Sequence, residues 1–276
     1  MKPISRFAPS PTGYLHLGHA YAARIAYETA REKGGTFLLR HEDIDTSRVR
    51  PEFFAAIEED LKWLGLNWDG EPLIQSTRIA AYEEVLEKLK SMGLLYPCFC
   101  TRKEIQATIN SISNAPQDGA EQTYPKTCHR MSQKKVDQKI RNGESHSWRF
   151  DSEKAAEIHG PLTFNDLERG ETGIDISING DVVLARKDVG IAYHLAVVVD
   201  DEFQDVTHVT RGEDLFFATH VQRQLQEILG YREPIYRHHE LINDEDGNRL
   251  AKRHDSLAIK TLRERGFSPA EVLDMI

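Results

Sequence analysis

The stretch RFAPSPTGYLHLGH, from Arg6 to His19, constrains the fold more than any other part of the chain. An apolar segment, Ile4 to Ala8, reads as a short buried strand and runs into Pro9 and Pro11. Proline supplies no backbone donor, so a ladder or a helix interior cannot continue through that turn. Beyond it, Ala20, Ala23, Ile25, Ala26 and Ala30 recur at near-helical spacing over Leu17 to Lys33, and Gly34-Gly35 stops the run. Thr36 to Arg40 is strand-like again. Strand, turn, helix and strand form the first unit of a nucleotide-binding α/β fold. The turn delivers His16 and His19 to a helix start. Unpaired N–H groups and the positive end of the helix dipole favour an anion there, and two imidazoles add donors. Gly13 and Gly18 would let a ligand or a neighbouring helix approach the backbone. HxGH alone recurs by accident and equally describes two solvated histidines.

The chain has 276 residues, 39% apolar and 29% charged, enough for one large or two small domains with a real core. No apolar run approaches the roughly 18 residues of a membrane span. The start, MKPISRFAPS, lacks the apolar core of a signal peptide. A cytoplasmic location with no membrane partner is expected. Three cysteines favour reduced thiols or a metal over a disulfide framework. The net charge of −9 excludes a wholly basic nucleic-acid footprint. Two local basic patches remain: Arg130, Lys134, Lys135, Lys139 and Arg141, and Arg249, Lys252 and Arg253. Charge runs are usually solvated faces, and these are compatible with a salt-sensitive nucleic-acid contact.

Helices are expected at Pro51 to Leu64 and Thr77 to Met92, with Phe54, Ile57, Leu61 and Leu64, and Ala81, Val85, Leu89 and Met92, as their core stripes. Residues 96–186 break the α/β pattern with cysteines, a polar segment at Asn110 to Gln122, whose composition points to mobility, and short strands such as Gly173 to Ile178. Tyr193 to Val199 reads as an apolar strand with Asp200-Asp201 at its end, Val206 to Thr210 as another strand, and Glu213 to Leu229 as a helix closed by Gly230. Asp214 is a candidate helix cap. Asp43, Asp45, Asp200, Asp201 and Asp214 supply carboxylates near one sheet edge.

RxAPSPTGxLHxGH resembles the HIGH signature of class I aminoacyl-tRNA synthetases in its glutamyl form. The likeness continues through RHEDID at Arg40 to Asp45, YHLAVVVDDEFQDVTHVTRGEDL at Tyr193 to Leu215, and RLAKR at Arg249 to Arg253. The resemblance implies an α/β, Rossmann-like parallel sheet split by an acceptor-binding insertion with a small zinc-binding segment. On that plan residues 1–95 and 187–242 form the two halves of the catalytic domain. Residues 96–186 are the insertion, with the zinc segment at 98–128, and 243–276 hold a KMSKS-like loop and a short helical tail.

It further implies an AMP-forming ligase that activates L-glutamate with ATP and Mg²⁺. His16 and His19 would stabilise the phosphates with Gly18, and Lys252 would steady the leaving group as a mobile point charge. Arg249 stands where the first lysine is usual and Ala251 where a serine is usual. Read without the family, RLAKR is a basic surface loop. The family's glutamate pocket maps onto Arg6, Ala8, Ser10, Glu42, Tyr193 and Arg211. By chemistry, Arg6 or Arg211 could fork onto the substrate carboxylate and Glu42 could take its ammonium. The same residues could equally be ordinary ion pairs. Mg²⁺ leans on substrate phosphates, so no protein ligand is named.

Cys98, Cys100 and Cys128 favour structural Zn²⁺, which wants a fourth ligand. Donor chemistry alone points to His129, though adjacency to Cys128 makes that geometrically awkward. The tRNA-modifying branch of the family uses Cys, Cys, Tyr, Cys at this spacing, which points to Tyr124.

Only 24 residues follow Lys252, too few for the large helical anticodon-binding domain of a translational synthetase. The chain therefore resembles the truncated branch, which transfers glutamate to the queuosine base in the anticodon stem-loop of tRNA(Asp). A monomer is expected. Two alternatives stay open: a glutamyl-tRNA synthetase catalytic unit lacking its anticodon domain, and a non-catalytic paralogue that binds ATP or glutamate.

Overall fold

The computed structural model describes residues 2–112, 123–187, 190–242 and 258–276. Lys252, with the rest of RLAKR, and most of the polar segment at 110–122 lie outside them. The opening unit forms as expected: strand β1 (Ile4–Phe7), helix α1 (Leu17–Arg31) and strand β2 (Thr36–His41). Helix α2 (Pro51–Trp63), strand β3 (Leu73–Ile74) and helix α3 (Ile79–Ser91) follow. The α2 stripe buries Ile57 and Leu61, and Leu64 beyond it. On α3 the buried face is Tyr82, Leu86 and Leu89, so the expected stripe is turned by about one residue and Met92 is exposed.

The chain then leaves the main sheet. Strand β4 (Leu95–Cys98), helix α4 (Arg102–Ile112), helix α5 (Gln133–Arg141), strand β5 (Ser147–Phe150) and helix α6 (Ser152–His159) lead to a hairpin, β6 (Thr163–Asp166) and β7 (Gly170–Gly173). The strand expected at Gly173 to Ile178 is this earlier β7, which ends at Gly173. Strands β8 (Val183–Arg186) and β9 (Gly190–Ile191) precede helix α7 (Tyr193–Phe203). Strand β10 (His208–Gly212), helix α8 (Phe216–Leu229), strand β11 (Ile235–His239), helix α9 (Ile259–Glu264) and helix α10 (Pro269–Leu273) complete the described chain.

The main sheet has the order β3-β2-β1-β10-β11-β6-β7. Every neighbouring pair is parallel except the β6–β7 hairpin. A separate antiparallel sheet, β4-β5-β8-β9, carries the cysteine segment. Thus β6 and β7, although they lie inside 96–186, return to the edge of the main sheet. Chain order reverses between β1 and β10, with β2 on one side and β10 on the other. Open α/β sheets bind ligands at the strand C-termini beside such a switch.

Tyr193 to Val199 is helical, which corrects the strand reading. A short continuous apolar run looks the same as a strand or as a helix buried on all sides. Here Leu195 through Asp201 are all buried, packed with α3, α8 and the β4–β9 lobe in one core. The chain reaches α7 through Ala192 in extended conformation, and Asp200 and Asp201 fall in the last turns of the helix.

At the other end of the chain, Ala258 bridges to His16, and the Ile259 N–H donates to the Leu15 carbonyl at 2.8 Å. Arg263 of α9 meets Glu59 of α2 at 3.1 Å. Arg24 of α1 donates to the Leu273 carbonyl at 2.9 Å. These contacts seat α9 and α10 on the first βαβ unit. No described helix is long and apolar enough to cross a membrane.

Gly35 sits where α1 turns back into β2, and a Cβ there would lie 2.0 Å from the Pro3 carbonyl oxygen and 2.9 Å from the Ala30 carbonyl oxygen. Both partners are backbone, so neither yields without moving β1 or α1. Gly35→Ala should cost about 1–3 kcal/mol, read as a lower urea midpoint with an unchanged slope. A wild-type midpoint would contradict this packing.

Candidate active site

The C-terminal ends of β1, β2 and β10 converge at the switch point. Arg6, near the end of β1, is 5% exposed. Its Nε and Nη2 donate to the two oxygens of Asp201 at 2.8 and 3.2 Å, and Nη1 reaches the Thr210 carbonyl at 3.3 Å. Arg40 of β2 shares the same carboxylate, with Nη2 at 2.7 Å from Oδ1. Burial raises the Asp201 carboxyl, but the Arg6 and Arg40 guanidiniums outweigh it and hold its pKa below the usual value. Asp201 was therefore visible in the sequence only as one of several carboxylates; its partners come from strands 195 and 161 residues away.

Glu42 follows β2, with its carboxylate 3.5 Å from Arg40 Nε. Burial raises its pKa, against the opposing pull of Arg40 and Arg6. Ala8 and Ser10 lie in the turn after β1. That turn is laced to the loop after β2 by Glu42 N–H on the Pro9 carbonyl at 3.0 Å and Arg50 N–H on the Pro11 carbonyl at 3.2 Å.

Arg211 of β10 is 6% exposed and differs from Arg6 in one respect. It donates to His238 Nε2 at 3.1 Å, to Gln222 Oε1 at 2.7 Å, to the Thr219 hydroxyl, and weakly to the Tyr193 hydroxyl at 3.4 Å. Every partner is neutral. Among the described residues no carboxylate pairs with it. A buried guanidinium without a counter-ion is costly, and it marks where an anionic group of a ligand would be welcome. Tyr193, the first residue of α7, borders it.

His16 caps α1 in extended conformation, and His19 lies in the first turn. Their rings stack at 3.8 Å between centroids. His19 Nδ1 accepts the His16 N–H at 3.3 Å, which leaves Nε2 to carry the His19 proton. Burial, then the neighbouring His16, lowers the His19 pKa to about 3, and burial lowers His16. Both rings are neutral at neutral pH and each has one N–H to donate. A Cβ on Gly18 would meet the His16 ring at 3.2 Å, so Gly18 makes room for that ring, whereas Gly13 faces open space.

The other sequence carboxylates are engaged. Asp200 accepts from Gln75, Arg78 and the Tyr82 hydroxyl at 2.7 to 2.8 Å, and Asp43 accepts from Ser76. Asp45 holds Ser47. Asp214 sits in the 3₁₀ turn after Gly212 and does not cap α8, whose N-cap is Leu215.

The three cysteines cluster in the second lobe, their sulfur atoms all within 4.8 Å of one another. Tyr124 Oη lies 3.4 Å from Cys98 Sγ and 3.8 Å from Cys100 Sγ, and Cys100 and Cys128 sulfurs are 3.4 Å apart. Tetrahedral Zn²⁺ with bonds of about 2.0–2.3 Å would set such edges at about 3.5–3.8 Å. His129 is turned away, with Nε2 2.9 Å from Asp151. Cys98, Cys100 and Cys128 could thus hold one cation, with the Tyr124 oxygen against two of their sulfurs.

Residues 4–276 match the family model for the catalytic domain of class I tRNA synthetases for glutamate and glutamine (E and Q). The chain belongs to that family. It is 45% identical to a glutamyl-Q tRNA(Asp) synthetase of Rhodobacter capsulatus, covering 99% of both chains. It is 38% identical to a glutamate–tRNA ligase of Hydrogenobaculum over 99% of this chain but 57% of that one. Among solved structures, a glutamate tRNA ligase from Elizabethkingia meningosepticum in complex with its amino acid superposes with a TM-score of 0.78 at 28% identity, covering 97% of this chain and 54% of that one. As a class I synthetase the chain is a ligase, and its observed α/β sheet is the family's catalytic fold.

The neutral histidine pair has a consequence for stability. An unfolded His19 protonates near 6.5, whereas the folded one does so at about 3. Its contribution is complete above about 6.5 and is lost as pH falls towards 3. His19→Asn should make the acid limb of stability against pH shallower by up to one proton, measured by urea unfolding at stepped pH. An unchanged limb would place His19 in solvent.

Proposed function

We propose that this synthetase activates L-glutamate as glutamyl-adenylate and transfers it to the queuosine base at the first anticodon position of tRNA(Asp). The observation that carries the glutamate half is Arg211, buried among neutral partners and without an anion. It would take the side-chain carboxylate in a two-point contact. Glu42, beside Arg6 and Arg40, would take the ammonium. Arg6, steadied by Asp201, with Ala8 and Ser10, would border the α-carboxylate, and Tyr193 would close the side-chain end.

In the first step an α-carboxylate oxygen attacks the α-phosphorus of ATP and pyrophosphate leaves. Negative charge grows on the phosphate oxygens, and fixed donors stabilise it without reorganising. The helix α1 N-terminus, the His19 Nε2–H and His16 are the donors on one side. Lys252 would act on the leaving side. Ala258, six residues after Lys252, bridges to His16, so the tether supports delivery of that lysine to the same phosphates. ATP would arrive with Mg²⁺ on its own oxygens. In the second step a hydroxyl of the acceptor attacks the acyl carbonyl and AMP leaves. A cavity of about 380 Å³, lined by Tyr124, Arg149, Asp181 and His194, lies between the cysteine lobe and the start of α7.

Zn²⁺ held by Cys98, Cys100, Tyr124 and Cys128 would be structural, since four protein donors leave no open position. The queuosine half rests on the likeness to the Rhodobacter relative.

The decisive experiment supplies ATP, Mg²⁺ and labelled glutamate with queuosine-containing tRNA(Asp), queuosine-free tRNA(Asp) or tRNA(Glu). Label on the queuosine-containing tRNA alone is expected; label on tRNA(Glu) would make this a translational synthetase unit. Lys252→Ala should abolish pyrophosphate–ATP exchange. Metal analysis should return one zinc per chain, and chelation should lower the melting temperature. Equal melting of metal-free and native protein would remove zinc from the account.

A further inference from the structure

Arginine is a long side chain with several rotamers, yet Arg211 is held on three sides. One of those holds is itself built. Arg211 and His238 are register partners across β10 and β11, and Nε donates to His238 Nε2 at 3.1 Å. That contact requires an unprotonated Nε2. The ring's other nitrogen, Nδ1, bonds Asp166 Oδ2 on β6, and neither side chain has exposed surface. Asp166 Oδ1 is occupied by the Glu168 and Arg169 backbone N–H groups at 2.8 and 3.1 Å. Oδ2 is thereby aimed at the ring and, as a carboxylate oxygen, takes the Nδ1 proton. Tyr236 lies parallel to the imidazole at 5.9 Å and Phe216 meets it edge-on at 5.1 Å, so the ring is clamped. Burial, then Arg211, lowers the His238 pKa to about 4, in keeping with a neutral ring. The Thr219 hydroxyl, 3.0 Å from Nε2, also bonds Arg211 Nη2 and closes the circuit.

We propose that Asp166 and His238 are positioning residues for Arg211: Asp166 fixes the His238 tautomer, and His238 orients the guanidinium that selects a carboxylate-bearing amino acid. The inference rests on the reading of Arg211 given under the proposed function. Hydrogen-bond polarity runs in one direction along the chain, from guanidinium to imidazole to carboxylate. With Nε committed to His238, one Nη1 proton to Gln222 and one Nη2 proton to Thr219, one proton on each Nη remains, the Nη1 one resting weakly on the Tyr193 hydroxyl at 3.4 Å. A carboxylate would meet the guanidinium at those protons. A guanidinium free to rotate would bind glutamate less tightly and discriminate less against glutamine.

Asp166→Asn separates positioning from packing, because it barely changes volume. The Asn oxygen would keep the two backbone donors, turning its NH₂ towards His238 Nδ1. The ring would then carry its proton on Nε2, facing the Arg211 Nε–H donor to donor. The assay is glutamate-dependent pyrophosphate–ATP exchange, with KM measured for glutamate and for ATP, and with glutamine as competitor. Asp166→Asn and His238→Phe should each raise the glutamate KM about tenfold or more with the ATP KM little changed, and should narrow the preference for glutamate over glutamine. His238→Gln, whose amide oxygen can stand in for Nε2, should stay within about threefold of wild type. Nitrogen-15 NMR should show the Nδ1–H tautomer in wild type and Nε2–H in Asp166→Asn. A wild-type glutamate KM in Asp166→Asn, or a parallel rise in both KM values, would overturn the proposal while leaving the glutamate reading intact. If His238→Phe fails to fold, Asp166→Asn and His238→Gln decide. Wild-type protein with no glutamate-dependent exchange would overturn the site reading, and this proposal with it.

Discussion

One buried carboxylate ties the site to the scaffold. Asp201 stands in the last turns of α7 and takes Arg6 from β1 and Arg40 from β2. Its neighbour Asp200 takes Arg78, Gln75 and Tyr82 from the α3 region. Two adjacent residues thus lock one helix to both sides of the nucleotide fold. Breaking such a pair by removing one member costs about 3–5 kcal/mol, because the other charge is left buried and alone. The arrangement is demanding, and its return is geometric. The ends of β1 and β2, with the Pro9–Pro11 turn between Arg6 and His16, are set against the end of β10.

The parts of this architecture encoded locally were legible. The APSPTG turn, the Ala-rich face of α1 and Gly34-Gly35 describe β1–α1–β2 within one residue at the strand end and two at the helix end. Gly230 closes α8 in left-handed conformation as its sequence position implies. What was illegible depended on long-range partners. The YHLAVVV run is β-branched and apolar, which favours a strand by local preference. It becomes a helix because a core from α3, α8 and the second lobe surrounds it on every side, and no window of sequence records that surround. Likewise Arg6 and Arg211 look equivalent as letters. Only the fold reveals that Arg6 is neutralised by Asp201 and that Arg211 is not.

The second lobe teaches the same lesson through chemistry. Ranking donors by type favours His129 over Tyr124. In the folded lobe Tyr124 is buried against Cys98 and Cys100, its oxygen accepting the Cys128 N–H at 2.8 Å. His129 is spent on Asp151 and packs edge-on against Tyr96. Arg149 stacks over the Tyr124 ring at 3.7 Å. Donor chemistry gave His129 the better credentials, and the fold sets Tyr124 against the thiols while His129 meets Asp151.

The charges around the switch point argue for the amino acid. Arg6 and Arg40 face Asp201 and Glu42, so those four charges balance. The two histidines are neutral. Arg78 and Asp200 cancel. Arg211 touches no carboxylate, and the buried Asp166 reaches it only through the neutral His238. Glutamate's ammonium and α-carboxylate cancel, and its side chain brings the one negative charge that would meet Arg211 directly. Glutamine matches its shape and leaves Arg211 bare. Leaving a buried charged donor unsatisfied costs about 1–3 kcal/mol or more, and sites built around such a partner reject the analogue lacking it far more strongly than an apolar pocket rejects a misfit. On the proposed reading, the selectivity arises from a buried guanidinium that no carboxylate contacts directly.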